Sequence, residues 1–290
     1  IAYKYSYSSA NQLIKIEALD GMLGQVIKTT EFKYDVLGRR IQKNIIDSVN
    51  SSKSFTRRYI YNGDNIFAEF DESNTLLAQY THSPLAPDDV LAVQISQAGV
   101  SSGLAQTAGK YYYLKDLLGS ITDIVDGSGN IIQKYEYSAY GKIYAIRDNL
   151  GHDVTSSPVV NTSFTYTGRE WDSESGMYYY RARYYDSSIG RFLQQDPDPG
   201  KLAQPNTFLS KYIYAGNNPV MFSDPRGMSS TLGWLFAVVF PLQSFFLING
   251  TDFFKNNFEF TDGDKRGLNL AYVTTAIIVA SVLSGGSAGA

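Results

Sequence analysis

Tyrosine at every second position is the feature that most limits what this chain can become. The pattern opens at Tyr3-Lys4-Tyr5-Ser6-Tyr7 and returns at Tyr59-Ile60-Tyr61 and Tyr135-Glu136-Tyr137. In an extended strand successive side chains point to opposite faces, so a period of two puts the rings on one side and the polar residues on the other. Aromatic rings fit such a pleated, half-buried surface, and 23 Tyr, 16 Phe and 25 Gly in 290 residues supply the material for strands and turns. Asn62-Gly63, Asp126-Gly127-Ser128-Gly129, Leu37-Gly38 and Leu118-Gly119 separate the alternating runs. Glycine and asparagine tolerate the positive φ angles that tight hairpins require. The expected fold is therefore mainly β, a meander of short hairpins across residues 1–163. Two stretches within it, 97–109 and 147–163, are small and polar and read as loops without the apolar content to build a core.

A ribbon that is aromatic on one face needs a second layer or a curved shell to cover that face. Its open edges would also expose unpaired backbone, so closure or stacking on neighbouring repeats is expected. Because the sequence begins inside a Tyr-x-Tyr pattern, it is expected to be a piece of a longer chain.

Composition removes several classes of function. The 25 basic and 28 acidic residues leave a net charge of −3, without the basic surplus of a nucleic-acid binder. There is no cysteine, hence no disulfide framework or thiolate chemistry. His82 and His152 alone make a histidine zinc site a poor expectation, and no metal or cofactor is expected. His82, beside Pro84 and Pro87, reads as a loop residue. Asp88-Asp89 lacks the spaced oxygen ligands of a calcium loop. Gly285-Gly286-Ser287-Ala288-Gly289 lacks the strand–turn–helix setting of a nucleophile elbow. The aromatic and basic run Tyr178–Tyr185 reads as packed strand rather than a stacking platform for nucleic acid.

Asp-Pro pairs punctuate residues 164–228, at Asp196-Pro197, Asp198-Pro199 and Asp224-Pro225, and directly after Met228 the composition turns apolar. This divides the chain into 1–163, 164–228 and 229–290. In the last part, 232–248 and 268–283 are apolar stretches, expected to be helical, each near the lower length limit for crossing a membrane. Two readings stand for them: buried or unfolded cargo, or a helical hairpin that contacts a target membrane.

Five stretches carry a resemblance to a known family: Tyr34–Arg40 (YDVLGRR), Tyr59–Asp71 (YIYNGDNIFAEFD), Tyr111–Gly141, Thr167–Pro197 (with GMYYYRARYYDSSIGRFLQQDP) and Tyr212–Met228 (YIYAGNNPVMFSDPRGM). Their order resembles the RHS/YD-repeat proteins with their RHS repeat-associated core domain, as in bacterial polymorphic toxins and the C component of Tc toxins. The resemblance covers most of residues 1–228. It implies a hollow β-shell of YD repeats, a core-domain plug over 164–228, and a variable C-terminal effector held as cargo. It further implies secretion or surface display, delivery by a secretion system or Tc-toxin partner proteins, and a cognate immunity protein. In several members the core domain is an intramolecular aspartic peptidase that cuts once after its last motif, which here falls between Met228 and Ser229.

Carried onto this sequence, the resemblance makes Asp196 and Asp224 the catalytic carboxylates. Two carboxylates at short range share a proton, one serving as base on a water and the other as acid. Proline after each aspartate would stiffen its backbone. Arg191 would orient a carboxylate or stabilise the oxyanion. Three departures from the family pattern stand out: Met228 where leucine is usual, DPDPG in place of DPxGL, and added residues around Lys201–Pro205. They make Asp198 a rival to Asp196. Asp-Pro-x-Gly is also an ordinary turn sequence, so a non-cleaving structural or cell-surface scaffold stands beside the peptidase reading.

Overall fold

The computed structural model describes residues 1–84, 89–197 and 210–228. Twelve strands follow one another in chain order in a single antiparallel sheet. They are β1 (Ala2–Tyr7), β2 (Leu13–Leu19), β3 (Val26–Tyr34), β4 (Arg40–Asp47), β5 (Phe55–Asn62), β6 (Asn65–Phe70), β7 (Leu76–His82), β8 (Val90–Ile95), β9 (Gly109–Lys115), β10 (Ile121–Val125), β11 (Ile131–Tyr137) and β12 (Ile143–Asp148). The mainly-β expectation holds, and the meander lies within residues 1–163. Period two is visible directly: Gln133 and Tyr135 are buried on β11 while Lys134 and Glu136 are exposed. The Tyr135 and Tyr137 rings stack on that face with centroids 5.9 Å apart.

One turn device joins many of these strands. Asp35, Asp116, Asp126 and Asp148 each stand three residues before a glycine. The Oδ1 atom of each accepts the amides two and four residues on. Gly38, Gly119, Gly129 and Gly151 close the turns at φ between +81° and +88°, where a Cβ would be strained. Register shifts flank the turns, as at Lys33/Tyr34 and Ile124/Val125, the bulge expected beside a three-residue hairpin loop. The β5–β6 connection is tighter. Asn62 pairs with Asn65, so Gly63 and Asp64 form the loop, and Gly63 supplies the positive φ.

The segments 97–109 and 147–163 correct the expectation of core-free loops. The first contains a short helix, α1 (Gln97–Ser101), and Leu104, Ala105 and Val160 are buried with Tyr80, Val93, Tyr111 and Ile124. These few apolar side chains lie over the aromatic face of the sheet. Gln133, fully buried, fixes the second segment: its amide donates to Val160 O at 2.9 Å and accepts from Val160 N at 3.0 Å. His82 is likewise not a loop residue. It ends β7, its Nε2 lies 2.9 Å from Ile66 O, and its ring packs edge-on to Phe164.

Residues 170–192 build a second, four-stranded sheet of β13 (Glu170–Asp172), β14 (Met177–Tyr180), β15 (Arg183–Asp186) and β16 (Arg191–Phe192). Every residue of β14 is buried, because both faces of this sheet are covered. Met177, Tyr179 and Tyr184 pack on Leu13, Ile16 and Phe32 of the large sheet. Tyr178, Tyr180, Tyr185 and Phe192 pack with Tyr166 and Tyr214 on the other side. The Tyr178–Tyr185 run is thus interior packing.

A buried ion cluster joins the two sheets. Arg40 of β4 donates to Asp172 at 2.5 Å and to Glu170 at 2.6 Å, and Lys43 donates to Asp172 at 2.8 Å. Arg40 and Asp172 are each 1% exposed, and the Arg40 guanidinium lies 4.6 Å from the centre of the Tyr179 ring. Burial opposes charge on Arg40, but Asp172 and Glu170 outweigh it and push its pKa well up. A buried charge of this kind persists only when paired.

The described residues form one compact unit. The stretches 232–248 and 268–283 lie outside the described residues. Among the described residues no helix is long and apolar enough to cross a membrane.

Candidate active site

The site is assembled around the hairpin of β14 and β15. Tyr180 pairs with Arg183, leaving Arg181 and Ala182 as a two-residue loop. Arg183 begins β15 with its side chain fully buried, and its guanidinium lies 3.7 Å from the centre of the Phe192 ring. From β16 the chain continues through Leu193, whose amide donates to Tyr184 O, and Gln194, whose side chain accepts from Tyr184 N at 2.8 Å. Asp196 is then held by its own amide, which donates to Lys211 O at 3.0 Å.

Asp224 arrives on a different device, a turn related to those that join the strands of the large sheet, with aspartate and glycine at the same spacing. Gly227 takes φ +61° and its amide donates to Asp224 O, while Asp224 Oδ1 accepts the amide of Met228 at 3.0 Å. Proline suits the second position of such a turn, and Pro225 occupies it. One oxygen of Asp224 therefore serves the turn and leaves the other to face inward.

Arg183 brings the two aspartates together. Its Nη2 lies 3.0 Å from Asp196 Oδ2 and 3.1 Å from Asp224 Oδ2, so the carboxylates face each other across a single nitrogen. Its remaining donors hold backbone: Nε to Gly227 O at 2.5 Å and Nη1 to Lys211 O at 3.0 Å. Burial pushes the Asp224 carboxyl up despite Arg183, and burial lowers the Arg183 guanidinium. Desolvation of this kind favours a protonated acid in one member of a carboxylate pair.

The expected residues fall as follows. Asp196 and Asp224 are brought together, and Met228 sits at the end of the Asp224 turn with its side chain partly exposed. Ser229 and Asp198 lie outside the described residues, as does Asp88. Arg191 lies exposed on β16, paired in register with Asp186. The guanidinium between the carboxylates belongs to Arg183, which sequence reasoning passed over. A signal was present: an arginine inside an all-aromatic buried hairpin requires acidic partners. Among the described residues no group of three His, Cys, Asp or Glu side chains could hold a metal ion.

Fold and site together define a β-meander wall with a small aromatic sheet packed on it, presenting two buried carboxylates at a turn. The tRNA3(Ser)-specific nuclease WapA of Bacillus spizizenii is 32% identical over 210 residues, 72% of this chain and 8% of the nuclease. Salivary gland surface protein 1 of Aedes aegypti is 32% identical over 69% of this chain and 5% of its own length. Toxin subunit YenC1 of Yersinia entomophaga is 27% identical over 77% of this chain and 22% of the subunit. A crystal structure of TcdB2-TccC3-Cdc42 shares the fold, with a TM-score of 0.59 at 22% identity over 81% of this chain and 11% of that one. The chain thus spans less than a quarter of the length of each of these proteins. No family model matches the chain. These similarities support its place in the RHS/YD-repeat toxin family.

Proposed function

We propose that this chain is the shell and maturation segment of an RHS/YD-repeat toxin: its strands form part of a wall around a C-terminal effector, and its plug cuts the chain after Met228. The observation that carries the reading is the meeting of Asp196 and Asp224 at Arg183, with the amide of Met228 on the second carboxylate. In the reaction, Asp196 takes a proton from water as the oxygen adds to the Met228 carbonyl carbon. Asp224, whose carboxyl burial pushes up, gives a proton to the leaving nitrogen as the bond to Ser229 breaks. Water is consumed, one new carboxyl and one new amine form, and the pair is left to re-share its proton.

Export from the cell, partner toxin subunits and an immunity protein belong to this reading through the relatives' names and the family resemblance. The membrane-contact reading of 232–248 and 268–283 is tested separately, by vesicle leakage with the full chain.

A second reading is a wall that does not cut. It is favoured by the Asp224 turn, which uses the same aspartate and glycine positions as the hairpin turns of the large sheet. Comparing the parent chain with Asp196→Asn and Asp224→Asn separates the two. The peptidase reading expects cutting in the parent and none in either variant. Equal amounts of uncut chain in all three would leave the scaffold reading.

A further inference from the structure

Arg181 occupies the first position of a two-residue hairpin loop at φ +56°, a place that such hairpins normally give to glycine. A side chain retained where the backbone resists it points to a use for that side chain. Among the described residues its guanidinium makes contacts in two directions. Nη1 donates to Pro225 O at 3.1 Å, inside the turn that carries Asp224. Nη2 donates to Asp64 O at 3.2 Å and lies 3.4 Å from Asn65 Oδ1, both at the β5–β6 turn of the large sheet. Arg169 Nη1 also donates to Pro225 O at 3.1 Å, so this one carbonyl accepts two guanidinium groups. Gly227 presses on the same hairpin: a Cβ there would stand 2.2 Å from Tyr180 O.

We propose that Arg181 is a positioning residue that clamps the Asp224 turn to the Gly63-Asp64 turn of the wall, so that the peptide after Met228 is held for cutting only when that hairpin is folded and seated. Arg181 makes its described contacts with backbone and with Asn65 rather than with either carboxylate. It acts through the carbonyl of Pro225, one residue after Asp224, and through an anchor more than a hundred residues away in sequence. A guanidinium suits this task because its donors are fixed in a planar fork that holds two separated acceptors in one orientation, whereas a lysine ammonium is a point charge on a flexible stem. The proposal rests on the self-cleavage reading for its consequence, though the clamp itself can be measured without it.

Arg181→Gly is the discriminating variant, since glycine is at ease at this φ and the substitution removes only the guanidinium and its stem. In the full chain carrying Asp196→Asn, hydrogen exchange of the Gly227 and Met228 amides should quicken by about tenfold or more on adding Arg181→Gly, with Tm unchanged or raised. Exchange within β9 to β11 should not move. In the chain with both aspartates intact, the cutting rate should fall about tenfold at an unchanged site, as expected when a reacting peptide is misplaced. Arg181→Lys should fall between the two. Unchanged exchange at Gly227 and Met228 would overturn the clamp, and so would faster exchange throughout the large sheet. If the parent chain never cuts, the self-cleavage reading fails while the exchange measurement still decides the clamp.

Discussion

Replacing Asp172 by asparagine removes one carboxylate that serves two cations. Asp172 is 1% exposed; its Oδ2 takes Arg40 at 2.5 Å and its Oδ1 takes Lys43 at 2.8 Å. The variant keeps the shape and leaves two buried positive charges sharing Glu170 and Glu174. Removing one partner of a buried ion pair costs about 3–5 kcal/mol, because the other charge stays buried. At about 2–4 °C per kcal/mol for a domain of this size, Tm should fall by roughly 6–20 °C. The penalty should depend on pH in a defined direction. Burial alone would raise the Asp172 carboxyl, but Arg40 and Lys43 outweigh it and hold it below its ordinary 3.8. Its contribution is therefore fully present above that unfolded value and is lost as pH falls through the lowered folded one. Urea unfolding of the full chain near neutral pH measures the cost. A double-mutant cycle with Arg40→Met should give a coupling of about 1–3 kcal/mol. A loss below about 1 kcal/mol for Asp172→Asn, or additivity in the cycle, would refute the reasoning that this cluster ties the small sheet to the large one.

Glycine substitutions at two turns should differ in a way the packing dictates. Gly141→Ala places a Cβ 2.3 Å from the Tyr166 ring at φ +83° and should cost about 2–4 kcal/mol, from backbone strain plus overpacking. Gly129→Ala, at φ +88° with nothing within 4 Å, should cost only about 1–2 kcal/mol; equal losses by thermal unfolding would contradict the packing assigned to Tyr166. Cutting should also depend on pH. Burial raises the Asp224 carboxyl above its ordinary 3.8, and its protonated form is the acid, so the rate should decline as pH rises through that raised value. A rate that shows no decline as pH rises from the ordinary carboxylate range would remove Asp224 from that role.

How far the sequence reaches can be followed residue by residue. The period of two at Tyr135-Glu136-Tyr137 and the glycines at 38, 119 and 129 made the strands and turns legible, because both are local consequences of pleat and φ. The segments 97–109 and 147–163 were not legible as cover for the core. Gly99 is needed because a Cβ would stand 2.4 Å from Leu77 O, a contact that no local pattern announces. Val160 is buried through Gln133, 27 residues away. The site divides in the same way. Asp196 and Asp224, which meet at Arg183, stand in motifs that resemble a family's. Arg183 was missed in favour of Arg191 although its aromatic flanks mark it, because only the pairing of the strands shows which of the two arginines is buried. Arg40 was hidden inside a stretch that reads only as a repeat signature, yet it is among the most buried side chains described.

Whether the two carboxylates at Arg183 do chemistry is decided most directly by the intact mass of the purified chain, followed over time at mildly acid and neutral pH. Self-cleavage gives conversion to two products, one with a new carboxyl end at Met228 and one with a new amino end at Ser229, independent of protein concentration as an intramolecular cut must be. A single uncut mass throughout, in a chain shown by its unfolding transition to be folded, would contradict it.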